Sequence, residues 1–155
     1  MPIKNATNVV IQISTDNPGT EGALQTIAHC TSASLSLTRD LRDSTTKSSQ
    51  AWSESLAGLK SWELSGDGFV EFSDTVTNAY DPYAGSGSAT LMGYKKLYSL
   101  WEAGTQVYVK FGSTGANNHY EGTGFISSLS AEGGVEENAT YSITITGTAT
   151  LSVGN

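Results

Sequence analysis

Few residues in this chain could do chemistry. There are two histidines and one cysteine. His29 lies beside Cys30, and His119 ends an Asn-rich stretch. Neighbouring strand residues point to opposite faces, so His29 and Cys30 do not meet as base and nucleophile. The pair and one distant histidine are too few, and badly spaced, for a zinc site. Asp67, Glu71 and Asp74 are the acids whose spacing invites a calcium reading, yet no EF-hand pattern accompanies them and they read as a solvated strand face. Gly66-Asp67-Gly68 has Glu71 where a dinucleotide fingerprint needs its third glycine, and no phosphate-binding P-loop is present. Glu136 and Glu137 read as surface charge in a turn. The expectation is therefore no catalytic residue, no metal and no cofactor.

The composition bounds the rest. The chain has 155 residues and is expected to be a single domain, 1–155, long enough to bury a core. Charged residues make up 15%, with 17 glycines and much Ser and Thr, a composition that suits strands and turns. The net charge of -7 makes the chain a poor candidate for gripping a phosphate backbone, although nucleic acid could slide past such a surface. One cysteine rules out an intrachain disulfide. The first residues lack the features of a signal peptide, and no apolar run is long enough for a membrane span, so synthesis in the cytoplasm and no membrane insertion are expected. The glycosylation sequons at Asn5 and Asn138 then read as chance matches.

The stretch 31–72 organises the chain. Ala33, Leu35 and Leu37 alternate with Ser32, Ser34, Ser36 and Thr38. After an insert, Trp62 and Leu64 alternate with Ser61, Glu63 and Ser65. Such period-two patterns mark half-buried strands. The connection over 39–58 is far longer than a usual hairpin loop, and loops of that length are functional or disordered. It mixes charges of both signs (Arg39, Asp40, Arg42, Asp43, Lys47, Glu54) with two apolar residues, Trp52 and Leu56. That combination fits a protein–protein contact with an aromatic anchor. The competing reading is a loop folded back on its own domain, with Trp52 filling a local gap.

The other elements follow from the same periodicities. Residues 1–8 are polar and read as an extended arm. Val9, Ile11 and Ile13 mark a first strand, Asp16-Asn17-Pro18-Gly19 a turn, and 24–29 a short strand. The glycines around Asp67 point to a bulge or a close backbone approach. Residues 74–88 read as a second polar loop. A single helix is predicted over 89–103, with Leu91, Tyr94, Leu97, Tyr98, Leu100 and Trp101 on its apolar stripe, Ser88 or Thr90 at its start and Gly104 past its end. Strands follow at 107–111 and 119–130. The segment 141–153 reads as one long final strand, with Tyr141, Ile143, Ile145, Ala149, Leu151 and Val153 on one face and hydroxyls on the other. The sum is a mainly β fold of six to eight strands in one or two antiparallel sheets, with one flanking helix. A hydroxyl-lined face of this kind suits a wetted, non-adhesive wall such as a barrel or channel interior.

At this point the sequence resembles the major tail tube proteins of long-tailed, non-contractile phages and of gene transfer agents. The resemblance is densest in residues 33–40, 43–48, 52–58 and 61–68. There a strand ends on Arg39-Asp40, an Asp43…Lys47 step and a Trp52…Gly58 step follow, and the next strand ends on Gly66-Asp67-Gly68. The family layout implies two packed antiparallel sheets, as a sandwich or partial barrel, that join across subunits into one β-barrel. It implies homohexameric rings stacked into a tube through which double-stranded DNA passes non-specifically, with tape-measure, distal tail and tail terminator proteins as partners. The 39–58 loop is then the contact to the next ring, and Ser32, Ser34, Ser36, Ser61, Glu63 and Ser65 are candidate lumen-facing residues. The expected location is a virion or particle tail assembled in the host cytoplasm, with no added immunoglobulin-like domain. The alternative is a secreted β-sandwich carbohydrate-binding or adhesin module using exposed aromatics such as Tyr80, Tyr83 and Tyr120. A hydrolase on a β-scaffold has no constellation to support it.

Overall fold

The computed structural model describes residues 9–14, 24–48, 52–81, 86–113 and 119–154. The arm at 1–8, the turn at Asp16–Gly19 and Tyr83 lie outside these residues, as does the side chain of Tyr80. Ten strands and one helix are seen among the described residues: β1 (Val9–Ser14), β2 (Gln25–Thr26), β3 (Cys30–Asp43), β4 (Ser55–Phe69), β5 (Thr75–Asp81), β6 (Ser86–Met92), α1 (Tyr94–Ala103), β7 (Val107–Ser113), β8 (His119–Glu132), β9 (Thr140–Gly147) and β10 (Ser152–Val153). The mainly β, antiparallel architecture with one helix is as predicted. Its two sheets are very unequal. The large one runs β2-β1-β7-β8-β9-β4-β3, with β10 beside β8, and the small one is the β5–β6 hairpin. The large sheet does not close within the chain, so β3 is left as an edge.

Alternation decides what this sheet buries. Ile11 and Ile13 of β1, Val107 and Val109 of β7, Ile126 of β8, Ile143 and Ile145 of β9 and Leu64 of β4 share one face and form the core. The register aligns them: Ile13 pairs with Val109, Ile126 with Ile145, and Ile145 with Leu64. α1 covers this face with Leu97 and Leu100, which are buried, while Tyr98 and Trp101 are 44% and 45% exposed. Burying an aliphatic side chain contributes about 1.5–3 kcal/mol, so this face holds the fold together.

Four sequence readings are corrected. The helix begins at Tyr94 instead of 89, because 86–92 pairs as β6 with β5. Gly93 is its N-cap, where a Cβ would lie 2.2 Å from the Ser73 carbonyl oxygen, so neither Ser88 nor Thr90 starts the helix. Gly104 ends it as expected, in the left-handed conformation. Residues 74–88, read as a polar loop, contribute both strands of the small sheet. The segment 141–153 is not one strand: β9 stops at Gly147 and β10 resumes beside β8 at Ser152. The break accommodates Trp62, whose indole N–H donates to the Ala149 carbonyl at 2.8 Å. A Cβ on Gly147 would lie 2.0 Å from that indole.

The fourth correction concerns the organising hairpin. β3 and β4 stay paired from Cys30↔Gly68 to Asp43↔Ser55, with a bulge near Arg39. Residues 39–43 and 55–58, read as loop, are therefore strand. The ladder is extended by the Ser44 N–H donating to the Glu54 carbonyl, and Asp43 accepts the Thr45 N–H at 2.8 Å. Both features expected around Gly66-Asp67-Gly68 are present. A bulge lies opposite, between Cys30 and Ser32, and a Cβ on Gly68 would lie 2.5 Å from the His29 carbonyl oxygen.

Candidate functional site

The face of β3, β4, β9 and the C-terminal half of β8 opposite the core is a continuous field of hydroxyls. Cross-strand register sets it out in rows. Ser34 pairs with Ser65, Ser65 with Thr144, and Thr144 with Ser128. One row on, Ser36 pairs with Glu63 and Glu63 with Thr146; in the other direction Ser32 pairs with Asp67 and Asp67 with Ser142. Ser32, Ser34, Ser36, Ser61 and Glu63 are exposed and Ser65 is half-buried. The structure thus brings all six of these predicted residues onto one face.

The hydroxyls bond to one another. The Ser34 and Ser65 oxygens are 2.6 Å apart, and the Thr146 hydroxyl donates to Ser127 at 2.9 Å. Asp67 anchors one end of the field. Its carboxylate accepts from the Ser142 hydroxyl and, at 2.9 Å, from Ser32. The Ser142 bond, and then the Ser32 bond, hold its carboxyl below the usual carboxylate range. Over residues 32–38 of β3 the field carries no charge, and from Ser61 to Phe69 and from Ser128 to Thr146 its charges are carboxylates: Glu63, Asp67 and Glu132, with the Glu136–Glu137 turn at its end. Asp67 is absent from the candidate lining residues, since its flanking glycines read as a bulge or a close backbone approach. The strand parity of Ser142, Thr144 and Thr146 was the signal that could have found it.

The second feature is the projecting hairpin. Arg39, Asp40, Arg42, Asp43, Lys47, Trp52, Glu54 and Leu56 are all exposed. Trp52 is 78% exposed, so it does not fill a gap in its own domain, and Leu41, Leu56 and Leu59 are 70%, 63% and 73% exposed. Leu37 belongs with them at 62%, although its parity with Leu35 placed it on the core face. The core ends at Trp62, and the ladder runs on into solvent beyond it.

The residues first considered for catalysis are dispersed. His29 Nε2 meets Glu71 at 2.8 Å, and Asp74 lies 3.8 Å from Lys95. The Cys30 thiol bonds the Ser32 carbonyl, and burial pushes its pKa up, which disfavours the thiolate a nucleophile needs. No cluster of potential metal ligands exists among the described residues. One polar group escaped the sequence reading. His119 is buried, with Nε2 3.4 Å from Glu121, and the Tyr108 hydroxyl donates to the same Glu121 oxygen at 2.6 Å. That Tyr108 bond leads the causes that lower the Glu121 pKa, with His119 and Lys110 adding to it. The group ties β7 to β8.

An open hydroxyl field, a long exposed edge strand and an apolar-tipped hairpin are features of a protein built to assemble. Comparison with known proteins agrees. No curated protein matches the sequence. Among solved structures, the fold matches the tail of an empty gene transfer agent particle with C6 symmetry, at a TM-score of 0.74 and 18% identity, covering 99% of this chain and 100% of that one. It matches a chain of the native gene transfer agent virion at 0.75 and 18%, covering 99% and 100%. The SPP1 tail tube matches at 0.70 and 15%, covering 99% and 80%. The sequence itself matches the family described as phage tail tube protein over residues 4–153. The tail-tube reading therefore stands over the carbohydrate-binding alternative, and the chain belongs to the phage tail tube protein family.

Proposed function

We propose that this tail tube subunit forms homohexameric rings that stack into a hollow conduit for double-stranded DNA, with the hydroxyl field as its lining. The observation that carries this is the field itself: a broad exposed sheet face of hydroxyls whose charges over residues 32–38, 61–69 and 128–146 are carboxylates. Binding to DNA phosphates draws its energy from Lys and Arg that displace condensed counterions. Those stretches of wall carry no Lys or Arg and supply none, and their hydroxyls keep a water layer against which the duplex slides. Ser32, Ser34, Ser36, Ser61, Glu63 and Ser65 face the lumen, with Asp67, Ser142, Thr144 and Thr146 completing the surface. The edge of β3 supports closure of the ring, because an unpaired strand edge is a template for another chain. Successive subunits thereby join into one barrel.

Stacking falls to residues 39–58. Trp52 and Leu56 are the apolar anchors, and Arg39, Asp40, Arg42, Asp43, Lys47 and Glu54 fix register against the adjacent ring. Tape-measure, distal tail and terminator proteins cap and measure the tube, which belongs to a virion or particle tail assembled in the host cytoplasm. The test is the double variant Trp52→Ala, Leu56→Ala, followed by negative-stain electron microscopy and circular dichroism. Folded subunits or single rings without tubes are expected. Tubes like those of the parent chain would remove the hairpin from stacking, and a lost β signal would return Trp52 and Leu56 to a local packing role.

A further inference from the structure

The large sheet has two chemically different ends. At one, the β3–β4 hairpin departs, and it carries four of the eight cations of the chain: Arg39, Arg42, Lys47 and Lys60. At the root of this hairpin lies an open groove of about 820 Å³. Its lining includes Leu37, Trp62, Tyr120, Leu151 and Val153, with Arg39 and Lys60 beside them. Leu37 and Val153 are each 62% exposed, so the groove is apolar and no described residue fills it. At the other end, where Phe69 pairs with Thr140 and Thr140 with Glu132, the β8–β9 turn projects. It carries Glu132, Glu136 and Glu137, and no cation follows Lys110 in the chain. At its tip Val135 is 94% exposed, a β-branched side chain where turns favour Gly, Asn or Asp.

We infer that the acidic β8–β9 turn of one copy seats in the groove at the hairpin root of the next, with Val135 against the apolar lining and Glu136 and Glu137 against Arg39 and Lys60. The β8–β9 turn of a chain cannot reach the groove of the same chain. Trp62 to Phe69 alone spans roughly 23 Å of strand at about 3.3 Å per residue, and the turn lies beyond that. Knob and groove sit at opposite ends of one sheet, so the contact is heterologous and repeats without closing, as a stacked tube requires. Opposite charge fixes the polarity at the seat, since two acidic turns repel each other whereas Arg39 and Lys60 of the groove attract one. The inference rests on the tube reading above and adds to it the seat into which the neighbouring ring docks.

The test is covalent capture. Leu37→Cys and Val135→Cys are combined in one chain with Cys30→Ser, assembled, oxidised with copper phenanthroline and run on a denaturing gel. A ladder of disulfide-linked multimers is expected, because the two positions are too far apart within one chain to bridge. In a second arm, Glu136→Lys with Glu137→Lys should shorten tubes at least tenfold, and adding Arg39→Glu with Lys60→Glu should restore them. Normal tubes that yield only monomer on the gel overturn the inference and leave the tube reading standing. A cross-link from Leu37→Cys to Lys4→Cys in place of Val135→Cys gives the groove to residues 1–8 and overturns it as well. Folded chain that never forms tubes, by circular dichroism and microscopy, removes the tube reading and this inference together.

Discussion

Asp67 shows how a single residue of the proposed lining keeps its charge. Ser142 and Ser32 hydrogen-bond its ionised form, so its folded pKa lies below that of the unfolded chain. A depressed carboxylate contributes stability that is present above the unfolded pKa of about 3.9 and is lost as pH falls through the folded value. Asp67→Asn should therefore flatten the fall in melting temperature below about pH 4, measured by circular dichroism across a pH series. Glu121, depressed in the same direction by Tyr108, accounts for part of the fall that remains. Superimposable pH profiles for variant and parent would show that the Ser142 and Ser32 bonds do not act in solution. None of this network is local. The partners of Asp67 lie 35 and 75 positions away, a distance at which a sequence supplies strand parity but no pairing.

At the scale of elements, the sequence is most readable where one face is buried and one wet. β7, β8 and the runs 32–38 and 61–65 lie where alternation puts them, and so does β1, although both of its faces are buried. It fails where a tertiary contact overrides the local pattern. The hydroxyl and apolar alternation of 141–153 continues unbroken on paper, yet Trp62 presses on Gly147 and the chain steps out between β9 and β10. Gly147→Ala places a methyl group inside the indole's volume and should cost about 1–3 kcal/mol, as overpacking does; thermal denaturation reads this, and an unchanged melting temperature would contradict the contact. The helix start was misplaced for a similar reason, because 86–92 is recruited by β5 and Gly93 has no room for a side chain beside Ser73. The hairpin was legible as an unusual insert. Its continuation as a paired ladder to Asp43 and Ser55 was not, since charged residues at exposed positions carry no period.

For the molecule as a whole, the division of labour is between faces and ends. The core face holds α1, the opposite face offers hydroxyls and carboxylates, one end carries the mixed-charge hairpin and the other the acidic β8–β9 turn. The wet face was visible in the sequence as three polar runs, 32–38, 61–65 and 142–146. That β8 and Asp67 extend it into one field followed only from the register. If that field lines the lumen, Ser65→Cys in a Cys30→Ser background should react with a small maleimide in assembled tubes and resist one carried on a bulky polymer. Monomers should react with both, and equal reaction of tubes with the bulky reagent would put the field on the outside. The central claim is that this chain builds a tube by itself, and electron microscopy of the purified protein over a concentration series tests it most directly. Hollow tubes of stacked rings with sixfold symmetry are the expected result; a folded, dispersed monomer at every concentration would contradict it.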